Sequence, residues 1–169
     1  MRQLTTRPLA PEHIGQAFPL IQAYLPRVSL DEWRKFAAPL TAPRARSTMG
    51  IITVISERDY IAGLSTYRVA QDLQHGPALL ADNFMALDLF DREAVIHALA
   101  EALETLGRMQ GCTAIHTHAL DRGTLALSGE EDIAKILLSR GHRVESIMLC
   151  KVLEPPAGSA PGHSAVLDQ

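Results

Sequence analysis

The stretch from Asp82 to Ala94 constrains this chain more than any other. Residues 78–90 are largely apolar and read as a long strand, and a very short turn follows. Residues 91–111 then place Val95, Ile96, Leu99, Leu103 and Leu106 on one helical face, with Gly111 at the end. Asp91 suits a helix cap because its carboxylate accepts a backbone N–H, and glycine is common just past a helix end. Residues 112–120 read as another strand, and a strand–helix–strand unit makes two parallel neighbours in one sheet. Such a turn aims the first N–H groups of the helix beyond the strand end, where a phosphate is favoured. Here the turn has no glycine and carries Asp88, Asp91 and Glu93. Its architecture fits a nucleotide-like cofactor cleft, while its carboxylates oppose a polyanion.

The flanking segments supply the rest of a fold. Residues 4–9 suit a short first strand. Pro11 opens a helical pattern through Ile14, Ala17, Phe18, Ile21 and Leu25, which Pro19 is expected to kink and Pro26 to stop. Ser29 and Glu32 form a capping-box pattern, so Trp33, Phe36 and Ala37 belong to a second short helix, followed by a basic loop over residues 39–47 with Arg44 and Arg46. Residues 50–56, 60–69 and 78–90 read as a three-stranded meander. A last helix opens on the Ser128–Glu131 capping box, runs through Ile133, Ile136 and Leu137 and ends at Gly141. A final strand is expected over residues 143–153.

Of the 169 residues, 47% are hydrophobic, enough for one full core, so residues 1–153 are expected to form a single domain. Residues 154–169, rich in Pro, Gly, Ala and Ser, are expected to be a disordered tail. The net charge of −3 offers no attraction to nucleic acid or an anionic membrane, and no run approaches the roughly 18–20 apolar residues of a membrane span. The two cysteines, Cys112 and Cys150, make neither a disulfide framework nor a metal spacing, and no apolar leader is evident, so a cytoplasmic setting is expected.

The order strand, two helices, three-stranded meander, helix, strand, helix, strand resembles the GNAT N-acetyltransferase superfamily. The resemblance spans roughly residues 3–153. It is carried by the meander entering the 91–111 helix and by the ending Ile136-Leu137-Leu138-Ser139-Arg140-Gly141-His142, similar to the family's helix–Gly–aromatic–strand pattern with His142 at the aromatic position. It implies an α/β (α+β) fold. The sheet would be mixed and mostly antiparallel, with one parallel pair of strands splayed at a cofactor cleft and helices on both faces. The implied activity is acyl-CoA-dependent N-acylation, in which the amine of a small molecule or peptide attacks the thioester of acetyl-CoA or another acyl-CoA directly. A homodimer is a further expectation from the family.

By that resemblance Ala86 and Leu87 on the strand would meet the pantetheine arm, and Arg92, Glu93, Ala94 and Val95 the pyrophosphate. The family's leading Arg/Gln and its glycines are replaced here by Asp91, Ala94 and Ile96. The family's tyrosine acid falls at Leu137. Asp82, with Asp88 near the strand end, stands where a general base is often found. Read from the residues alone, Asp82 and Asn83 within an apolar strand are either edge or bulge residues facing solvent or part of an amine-activating cleft. His116 and His118, two apart on a strand, share one face. His118 suits a catalytic base, polar residues at a strand end are the plain alternative, and a metal reading needs a third ligand that the sequence does not indicate. The catalytic candidates are thus Asp82 and His118, with no metal expected. The acidic, non-glycine turn and Leu137 favour a different class of function: a GNAT-fold domain that has lost acyl-CoA use and serves as a binding or regulatory module.

Overall fold

A computed structural model describes residues 4–43, 48–87, 91–120, 133–146 and 149–153. Among these residues, five strands form one sheet in chain order: β1 (Thr5–Pro8), β2 (Met49–Ile55), β3 (Ile61–Asp72), β4 (Gly76–Ala86) and β5 (Ala114–Ala119). β1 to β4 pair antiparallel and β4 pairs parallel with β5. The helices are α1 (Phe18–Tyr24), α2 (Leu30–Thr41), α3 (Arg92–Met109) and α4 (Ile133–Ser139), with a 3₁₀ helix at Pro11–Ala17.

The expected mixed sheet with a single parallel pair is therefore present. α3 makes the β4–β5 connection because two parallel strands need a crossover. Its N-cap is Asp91, whose side chain accepts the Ala94 N–H at 3.1 Å. Its buried face is Val95, Ile96, Leu99 and Leu103, as the spacing predicts. This face packs on Val54, Leu79, Ala81 and Phe84, with Ile136 and Leu137 of α4 completing the layer. On the other side of the sheet, Ile14, Ile21, Tyr24 and Trp33 pack against Ile51, Leu64 and Met85. Two apolar layers, one per sheet face, make the core.

The structure corrects several boundaries. The first helical segment is not one kinked α-helix. A 3₁₀ turn hands over to α1 at Phe18, and Pro19 lies in the first turn of α1, where a missing N–H is harmless. The Ser29–Glu32 capping box forms as expected. α2, however, continues through Pro39 to Thr41, and the Thr41 hydroxyl donates to the Ala37 and Ala38 carbonyls at 3.2 Å near the helix end. β4 begins two residues before the expected start at 78, with Gly76 and Pro77 paired to Asp72 and Gln71.

At the described positions of the expected final strand, residues 143–146 and 149–153, there is no strand pairing. Val144, Leu149, Val152 and Leu153 are exposed. Strand propensity becomes structure only when a neighbour pairs, and Glu145 is held instead by side-chain contacts with Arg143 and His75. The Ser128–Glu131 capping box, Asp88, Arg44, Arg46 and the tail from residue 154 lie outside the described residues. Among the described residues, no helix is long and apolar enough to cross a membrane.

Candidate functional site

The distinguishing feature of β4 is a bulge. Its ladder with β5 runs regularly from Ala78↔Ala114 to Ala81↔Thr117, shifts, and resumes at Phe84↔Ala119. Its ladder with β3 shifts between Leu64 and Thr66. Asn83 has φ 53°, a left-handed conformation that asparagine tolerates better than most residues. A bulge leaves backbone groups without ladder partners. Here the Asp82 carbonyl accepts hydrogen bonds from the hydroxyls of Ser65 and Thr66, each at 3.0 Å, and the Asn83 amide donates to Thr66 Oγ1 at 3.1 Å. Polar residues inside this apolar strand thus have a local cause.

The bulge also aims a carboxylate. Asp82 Oδ1 lies 2.5 Å from His118 Nδ1, and Asp82 Oδ2 lies 4.0 Å from Arg68 Nε. The side chains of Asp82 and His118 are 34% and 41% exposed, so the pair is open to a solute. The two catalytic candidates read from the sequence are therefore brought together. A histidine whose Nδ1 meets a carboxylate is fixed in orientation and leaves Nε2 to exchange a proton. Sequence reading missed Arg68, which nothing local marks as a neighbour of Asp82.

The six cofactor candidates are placed as follows. Leu87 N–H donates to the Ala62 carbonyl at 2.7 Å. The Ala86 carbonyl accepts from Tyr24 Oη at 2.7 Å and from Arg92 Nε at 2.9 Å, and the Ala86 N–H donates to Tyr24 Oη at 3.2 Å. Arg92 Nη2 donates to the same phenol oxygen at 3.2 Å. The Arg92 guanidinium therefore reaches back to the end of β4. Glu93 lies along α3, its Oε1 3.4 Å from His97 Nε2. The Ala94 N–H is taken by Asp91, and Val95 is fully buried against Gly63. Leu137, at the position of the family's acid, is buried in the core. Tyr24 is buried in the core, and its hydroxyl meets both backbone groups of Ala86 at the end of β4.

A cavity of about 740 Å³ follows the outer side of β5, between that strand and the segment from α4 to Ser146. His116, His118, Glu104, Arg140 and His142 are among its lining residues. Arg140 Nη2 donates to Glu104 Oε1 at 2.8 Å, tying α4 to α3. Burial raises the Glu104 pKa, but the hydrogen bonds and charges of Arg140 and Arg108 outweigh it and hold the carboxyl below its usual range.

No protein-family model matches this chain, and no curated protein matches it. Solved structures do. An aminoglycoside N-acetyltransferase, AAC(6')-Iy, in complex with CoA is 13% identical over 90% of this chain and 96% of its own, with a TM-score of 0.69. Glucosamine-6-phosphate N-acetyltransferase from Arabidopsis thaliana is 15% identical over 90% and 99%, with a TM-score of 0.62. A GNAT family acetyltransferase from Staphylococcus aureus is 17% identical over 90% and 100%, with a TM-score of 0.63. At such identities what is shared is the fold: this chain has the GNAT acetyltransferase fold.

Proposed function

We propose that this chain, built on the GNAT acetyltransferase fold, is an N-acyltransferase that moves an acyl group from an acyl-CoA, such as acetyl-CoA, to the amine of a small molecule or peptide. The observation that carries the reading is the Asp82–His118 pair at the β4 bulge. Asp82 holds His118 by Nδ1, and Nε2 accepts the proton that the attacking amine gives up as the N–C bond forms. The C–S bond breaks, and the thiolate leaves with a proton from the imidazolium or water. Leu137 supplies no acid, which a thiolate leaving group tolerates.

The donor set of the cleft fits the co-substrate in kind. Arg92, between the end of β4 and the start of an 18-residue helix, is the cation for a pyrophosphate. Glu93, Ala94 and Val95 complete that turn, and Ala86 offers backbone to the arm, whereas the Leu87 N–H is spent on the Ala62 carbonyl of β3. CoA binding on this reading requires Arg92 and Tyr24 to release Ala86. When bound, the thioester supplies an activated acyl group.

One observation favours a second reading, a GNAT-fold binding or regulatory module without acyl-CoA use. Both backbone groups of Ala86 and the Ala94 N–H are already engaged by the protein's own side chains. The test is calorimetric titration with CoA, followed by turnover of acetyl-CoA with a panel of amines. On the enzyme reading the protein binds CoA. His118→Gln and Asp82→Asn then lower kcat by about 10²–10⁴-fold, with little change in the KM for acetyl-CoA. A well-folded protein that binds neither CoA nor acetyl-CoA leaves the second reading standing.

A further inference from the structure

Asp72, His75 and His116 each offer one donor atom to a cluster in which all three lie within 4.8 Å of one another. They come from different parts of the chain. Asp72 ends β3, His75 lies in the turn before β4, and His116 lies on β5 opposite Leu80. The turn is pinned to Thr113, the residue before β5. The Thr113 N–H donates to the Pro77 carbonyl at 2.8 Å, and the Thr113 hydroxyl donates to the carbonyls of His75 and Pro77. The two imidazoles meet edge-on with centroids 5.3 Å apart. A fourth group, Glu145, reaches in from the segment after α4, its Oε2 3.4 Å from His75 Nε2.

We infer that Asp72, His75 and His116, with Glu145 beside them, form a binding site for a divalent first-row transition ion of the zinc type. An independent observation points the same way. His116 Nε2 is shut off from solvent and has no hydrogen-bond partner among the described residues. A buried polar atom without a partner is costly, and a bound ion is one of the few causes that explain it. Two imidazoles and carboxylates without a thiolate suit zinc, nickel or copper, whereas calcium and magnesium take oxygen donors. In a tetrahedral site with bonds of about 2.0–2.1 Å, donor atoms stand about 3.3 Å apart. Side-chain movements of about an ångström close the cluster to that size.

The charges fit a dication. Backbone N–H bonds from His75 and Gln74 hold the Asp72 carboxyl below its usual range against the opposing effect of burial. The Arg143 hydrogen bond does the same for Glu145. His75 has Asp72 Oδ1 3.2 Å from Nδ1 and Glu145 at Nε2, so metal at one ring nitrogen leaves a carboxylate on the other. That is the usual way a metal-bound imidazole is held in its tautomer. The ion would fasten the β3–β4 turn to β5 and to the segment after α4. The site stands on its own geometry and does not require the acyltransferase reading.

The test uses the tag-free full chain, treated with chelator and titrated with zinc chloride by calorimetry and by histidine ring NMR. One zinc per chain is expected, with the rings of His75 and His116 shifted and those of His13 and His97 unmoved. His75→Ala, His116→Ala and Asp72→Asn, each checked for folding by circular dichroism, should weaken zinc binding at least roughly tenfold. His97→Ala should leave it unchanged. Cobalt(II) should give the intense visible absorption of a four-coordinate site. No stoichiometric binding by the parent protein, or zinc that shifts other histidines while sparing His75 and His116, would overturn the inference.

Discussion

Replacing Tyr24 by phenylalanine removes one oxygen from the hydrogen-bonded end of β4. Tyr24 is 7% exposed and its ring stays in the apolar layer with Ile21 and Trp33, so packing changes little. What is lost is polar. The ladder bond from Leu87 N–H to the Ala62 carbonyl flanks the Gly63–Ala86 pair, so the groups of Ala86 point away from β3. The Ala86 carbonyl keeps Arg92 Nε at 2.9 Å, but the Ala86 N–H loses the phenol oxygen, in a residue with no exposure. An unsatisfied buried N–H costs about 1–3 kcal/mol, and Arg92 also loses a contact. Tyr24→Phe should therefore destabilise by about 2 kcal/mol, or about 4–8 °C in Tm for a domain of this size. Urea unfolding followed by circular dichroism measures it. The same variant should gain more stability from saturating CoA than the parent does, because the freed N–H is available to the arm. A loss under about 0.5 kcal/mol would refute the reasoning, since it would mean that water or a backbone shift satisfies Ala86 without the phenol.

Glu104→Gln should cost about 1–2 kcal/mol at neutral pH by breaking a half-buried, charge-assisted pair with Arg140. Its pKa is lowered in the fold, so the contribution is present above the ordinary value of 4.5 and is lost as pH falls through the lower folded value. The parent and variant stability curves should thus converge as the pH falls below that lowered value; a gap that persists at the acid end would contradict the assignment. Gly63→Ala places a methyl 2.8 Å from the stiff, fully buried Val95 side chain, and urea unfolding should show a loss of about 1–3 kcal/mol. Asp91→Gln with Glu93→Gly removes a cap worth about 0.5–2 kcal/mol, yet should tighten CoA binding at low salt by clearing two carboxylates from the turn. Unchanged or weaker affinity in calorimetric titration would show that those carboxylates do not oppose the ligand.

The parts of this protein legible in its sequence are those decided by near neighbours in the chain. The 91–111 pattern becomes α3 with Asp91 as its cap, and Ser29 with Glu32 makes the capping box, because caps and helical faces involve residues three or four apart. The meander and the parallel partner follow from apolar runs and turns of ordinary length, and the order of these units already resembled the fold that the solved structures share. The sequence also offered Asp82 and His118 as separate candidates. Their meeting was decided only by tertiary structure, since they are 36 residues apart and depend on a one-residue register shift between β4 and β5. A single residue of slip reverses which face a strand side chain occupies, and no local pattern records where such a slip occurs. The same holds for Tyr24 against Ala86, 62 residues away, and for His116, whose partners come from a distant turn. Residues 143–153 show the reverse: their strand-like pattern was plain, but a strand exists only where a neighbour pairs, and at the described positions none does.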